Sequence, residues 1–70
     1  MKNVSDNPYF VVEDVHGAKA EVFFSADGEH EIIFTDNNNH KFFTEKYDQT
    51  PIVFVEQSAI DWASGKRELI

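Results

Sequence analysis

The groups able to do chemistry in this 70-residue chain are three histidines, thirteen Asp and Glu, and scattered hydroxyls; there is no cysteine. His16 and His40 fall among turn residues, and His30 heads an apolar run. Metal ligands must converge to about 2 Å from one ion, and no His-x-x-x-His or cysteine spacing arranges that here. Asp36-Asn37-Asn38-Asn39 offers oxygen ligands. A calcium loop, however, wants a glycine at its sharp turn, a distal glutamate and flanking helices. Consecutive asparagines read as turn chemistry instead, because Asn tolerates left-handed backbone angles. Glu29 and Glu31 alternate onto one strand face, with Glu13 and Glu21 across from them. Carboxylates work as an acid–base pair only in an enclosed pocket that separates their pKa values, and a sheet this small leaves little room for one. Ser58 lacks a Gly-x-Ser-x-Gly elbow. Gly17, Gly28 and Gly65 stand too far apart to form a phosphate loop. These absences describe a non-enzymatic protein with no cofactor and no metal.

Charge narrows the partners. Six Lys and Arg against 13 Asp and Glu give a net charge of −7. That balance repels phosphate, so neither nucleic acid nor an anionic membrane surface is expected. Tyr9, Phe23 and Phe42 imitate the stacking platforms of RNA-binding sheets, but their companions are glutamates where those platforms carry Lys and Arg. A basic protein, or a second copy of the chain, fits the charge. No apolar run approaches the roughly 20 residues of a membrane helix. Met1 to Asn7 holds no signal-like apolar segment, which makes the cytoplasm the expected location.

The elements that position these groups are strands. One Leu stands against seven Val, five Ile and seven Phe, and β-branched and aromatic side chains suit a pleated surface better than a helical core. Residues 1–8 read as a flexible leader and residues 9–70 as a single small domain. Strands are expected over Tyr9–Val15, Ala20–Ser25, Glu29–Thr35 and His40–Tyr47, separated by His16-Gly17, Asp27-Gly28 and the asparagine run. Ile52–Val55 reads as a fifth strand on its β-branching. Ser58 then caps a short helix, Ala59–Ser64, with Asp61 as the capping-box partner and Gly65 as the stop. A rival pattern starts one helix at Thr50-Pro51, with Ile52, Val55, Ala59 and Trp62 on one face. The expected class is α+β: an antiparallel four- to five-stranded β-meander with one short C-terminal helix packed on one face.

Centring the hairpins on their turn residues puts Val12, Val22, Ile32 and Phe43 in one cross-strand row. Phe10, Ala20, Phe24, His30 and Phe34 share that face, which the helix must cover through Ile60 and Trp62. The opposite face receives Tyr9, Val11, Phe23, Ile33 and Phe42, interleaved with Glu13, Glu21, Glu29 and Glu31 and with Thr44 and Lys46. A fully solvated face alternates cleanly to polar residues. Apolar residues within an acidic surround suggest an interface instead. The expected function is a small acidic protein-interaction module, homodimeric or serving a basic partner. Two alternatives stand beside it. One is an acidic mimic of nucleic acid that inhibits a DNA- or RNA-binding protein. The other is a ligand or catalytic site formed only between subunits, with Glu29, Glu31 and His30 as its polar groups.

Overall fold

A computed structural model describes residues 7–68. The chain forms four strands, β1 (Phe10–Glu13), β2 (Lys19–Phe23), β3 (Glu29–Thr35) and β4 (Lys41–Asp48). They form one antiparallel sheet in chain order, β1-β2-β3-β4. One helix, α1 (Ile52–Ala63), packs on it. The meander with a C-terminal helix is the α+β architecture expected above, with four strands. The leader expected over residues 1–8 lies outside the described residues, apart from Asn7 and Pro8.

Two of the hairpin turns are built alike. Asp14 N–H donates to Ala18 O at 2.8 Å and Gly17 N–H to Asp14 O at 3.2 Å; Asp36 N–H donates to His40 O at 2.9 Å and Asn39 N–H to Asp36 O at 3.0 Å. In each, the first aspartate accepts backbone N–H groups two and four residues on: His16 and Ala18 for Asp14, Asn38 and His40 for Asp36. The fourth position is left-handed in both, Gly17 at φ 91° and Asn39 at φ 71°. Gly and Asn are the residues that tolerate this angle, which is why the turns fall there.

The fifth strand does not form. Ile52–Val55 is the first part of α1, so the rival pattern describes the chain correctly. Local β-branching loses to burial, because the apolar sheet face needs a cover and a helix of one turn and a half would be too short to supply it. Pro51 precedes the helix, and its carbonyl accepts Phe54 N–H at 3.0 Å. Ser58 is therefore an interior residue, not a cap. Asp61 accepts from Gln57 Nε2 at 2.9 Å, one turn earlier on the same helix. The stop is as expected. Gly65 is left-handed at φ 79°; its N–H donates to Trp62 O at 3.1 Å, and Lys66 N–H donates to Asp61 O at 2.8 Å. That pair of bonds satisfies two of the last helical carbonyls.

The core lies between α1 and the sheet. Ala20, Val22, Ile32 and Phe34 from the strands meet Val55 and Ala59 from the helix, with Phe10, Val12, Tyr47, Ile52 and Trp62 around them. Trp62 meets Phe34 edge-on at 5.0 Å between ring centroids, a favourable aromatic geometry. Ile60 is only partly buried and stands outside this cluster.

Candidate functional site

The face turned away from α1 follows from the register. Val11, Glu21, Ile33 and Thr44 form one cross-strand row; Glu13, Lys19, Thr35 and Lys41 form the next. On the other side of the first row, Phe23 stands opposite Glu31, and Glu31 opposite Lys46; beyond them Glu29 faces Asp48. Val11 is 44% exposed, and Phe23 and Ile33 are partly exposed. No element of the described chain packs over them. Seven of the nine residues assigned to this face from the sequence are on it: Val11, Phe23, Ile33, Glu13, Glu21, Glu29 and Glu31. The apolar three are not one central cluster, because Glu21 separates Val11 from Ile33 within their row.

Tyr9 and Phe42 are elsewhere. The ladder carries a bulge where Phe34 pairs with Phe43 and Thr35 with Lys41, leaving Phe42 as the extra residue. Its ring comes within 6.5 Å of both Phe34 and Trp62, so it joins the helix side. Tyr9 precedes β1, and its ring lies 5.6 Å from Phe24, which stacks on His30 at 5.1 Å. The cross-strand rows of the core also differ from expectation. Phe10, Val22, Ile32 and Glu45 form one row, and Val12, Ala20, Phe34 and Phe43 the other. The outer strands slide by two residues, which moves the rows and preserves the faces.

Where β3 begins and β4 ends, a shallow cleft of about 370 Å³ is lined by Glu29, Glu31, Lys46 and Asp48 from the open side and by His30 and Tyr47 from the helix side. Three carboxylates against one lysine make it suited to a cationic group. His30 does not act with its neighbours there. It is buried, its Nδ1 accepts the Ser25 N–H at 3.2 Å, and alternation points it away from Glu29 and Glu31. Among the described residues no three His, Asp or Glu side chains are grouped to hold a metal ion.

A polar cluster on the helix side was not visible in the sequence. Tyr47 Oη donates to Glu45 Oε1 at 2.5 Å, and Arg67 Nη2 binds Glu45 Oε2. The Arg67 guanidinium also lies over the Phe34 ring at 5.9 Å, a cation–π placement. Burial pushes the Tyr47 phenol above its ordinary value, and the bond to Glu45 adds to the rise against a smaller opposing effect of Ser58. Burial works to lower Arg67, but the bond and charge of Glu45 outweigh it and hold the guanidinium above its ordinary value. In the Asp36 turn the His40 N–H bond lowers the carboxyl most, partly offset by desolvation, with Asn38 N–H and the His40 charge acting the same way as the first. A separation of twenty-two positions hides the pairing of Glu45 with Arg67; the one cue is a basic residue just beyond the helix stop.

Comparison of the chain with protein-family models, with curated proteins and with solved structures finds no match.

Proposed function

We propose that this protein is a small non-enzymatic interaction module that receives a basic protein segment across its open sheet face. The observation that carries the reading is the uncovered face itself: Val11, Phe23 and Ile33 stand among Glu13, Glu21, Glu29 and Glu31 with nothing from the described chain above them. Apolar anchors supply desolvation energy, and the carboxylates set charge preference and speed of encounter. The acidic cleft at Glu29, Glu31 and Asp48 adds a place for a lysine or arginine head group. Lys19 and Lys46 interrupt the carboxylate rows, which favours a mixed apolar and ionic partner over mimicry of a phosphate backbone. The reading keeps the protein in the cytoplasm, to be checked by fractionation; no helix among the described residues is long and apolar enough to cross a membrane.

The test is an NMR titration with a synthetic peptide of alternating Lys and Val. Shifts should gather on residues 11, 21, 23, 29, 31 and 33, and affinity should fall as salt rises. Phe23→Ser and Ile33→Ser, checked for folding by circular dichroism, should each weaken binding by about tenfold or more. Shifts gathering on α1, or unchanged affinity in both variants, refute the proposal.

A further inference from the structure

β4 ends the strand order, so among the described residues one of its sides has no neighbouring strand. It is eight residues long, against four for the other edge, β1. Exposed edges of this length present a row of backbone donors and acceptors ready to pair with another strand. α1 packs mainly over β1, β2 and β3, so the helix side of β4 is covered only in part, by Trp62 and Arg67. The bulge puts Phe42 and Phe43 together on that side, 51% and 39% exposed.

We infer that β4 pairs antiparallel with β4 of a second copy about a two-fold axis at Glu45, joining two four-stranded sheets into one. The register follows from the faces. Across such an axis, opposed residues must point to the same side of the sheet. Phe43, Glu45 and Tyr47 point to the helix side; Thr44, Lys46, Asp48 and, across the bulge, Lys41 point to the open side. Three central axes satisfy this. An axis at Thr44 sets Lys41 against the partner's Lys46. An axis at Lys46 sets that lysine against itself. An axis at Glu45 sets Phe43 against the partner's Tyr47, Thr44 against the partner's Lys46, and Lys41 against the partner's Asp48, each twice by symmetry. Aromatic and opposite-charge pairs are the ones that stabilise a ladder.

The remaining contact is Glu45 with the partner's Glu45. Each is already paired with the Arg67 of its own chain, so two arginines with two glutamates leave the axis neutral.

The experiment is sedimentation equilibrium of the full chain from about 10 µM to about 1 mM, the range of weak self-association. The mass should rise from 8.1 kDa toward twice that value. Asp48→Lys should weaken the dimer at least about tenfold by setting lysine against lysine, and adding Lys41→Asp should restore it, since the swap recreates the pair with its signs exchanged. Phe23→Ser, on the open face, should leave the dimer intact, which separates this inference from the function proposed above. A parent that stays monomeric overturns it. So does a dimer indifferent to Asp48→Lys, or one that the double swap fails to restore. Dissociation by Phe23→Ser would place the contact on the open face and overturn it equally.

Discussion

Val53 and Val55 stand two residues apart, so a strand would point both to one side and a helix separates them by about 200°. Val55 is fully buried and Val53 is 61% exposed. Val55→Ala removes two methyl groups from the core, about 1.6 kcal/mol at ~0.8 kcal/mol each. A residual void of about 45 Å³ adds about 1 kcal/mol at roughly 24 cal/mol per Å³. The better helix propensity of Ala returns about 0.6 kcal/mol, leaving a net cost of about 2 kcal/mol. Val53→Ala gains the same propensity and loses about 0.6 kcal/mol of partial burial, so it stays within about 0.5 kcal/mol of the parent. Urea unfolding followed by fluorescence of Trp62, the single tryptophan, reads both. With a slope of ~1 kcal/mol per M, Val55→Ala lowers the midpoint by about 2 M and Val53→Ala moves it by less than about 0.5 M. Equal shifts in the two variants would refute a helix over residues 52–55.

Tyr47 makes stability depend on alkaline pH. Its folded pKa lies above the ordinary 10.0, so the native state keeps a proton that the unfolded state gives up. The contribution is complete below pH 10 and is lost as pH rises past 10 toward the folded value; urea midpoints at pH 8 and pH 11 should fall less in Tyr47→Phe than in the parent. Gly65→Ala should cost about 1–2 kcal/mol, purely from the left-handed angle, because a Cβ there meets nothing within 4 Å. Gly65→Asn should cost less than the alanine in the same urea assay, since Asn tolerates that angle.

Sheet order and faces were legible in the sequence because turn residues punctuate alternating runs. Asp14-to-Gly17 and Asp36-to-Asn39 each place a left-handed position where Gly or Asn stands. The exact rows were not legible. Closing the first turn between Asp14 and Ala18 pairs Glu13 with Lys19, and composition cannot fix that choice to the residue. Phe42 changed sides through a bulge, and nothing in Lys41-Phe42-Phe43-Thr44 marks which residue is the extra one. Ile52–Val55 misled because propensity is a local property, whereas the need to cover Val22, Ile32 and Phe34 belongs to the whole sheet. The open-face residues were found by alternation alone. The Tyr47–Glu45–Arg67 cluster was not, because its members meet only once the chain beyond α1 has turned back.

Every strand lies beside its neighbour in the chain, and this shapes how the protein reaches its fold. Closing a short loop sacrifices little chain entropy, so each hairpin can zip from its own turn without searching for a distant mate. α1 is different: its contacts with β1 and β2 reach back across most of the sequence. Until that helix arrives Phe34 and its neighbours face water, and this topology predicts that docking of α1, not assembly of the ribbon beneath it, limits the speed of folding.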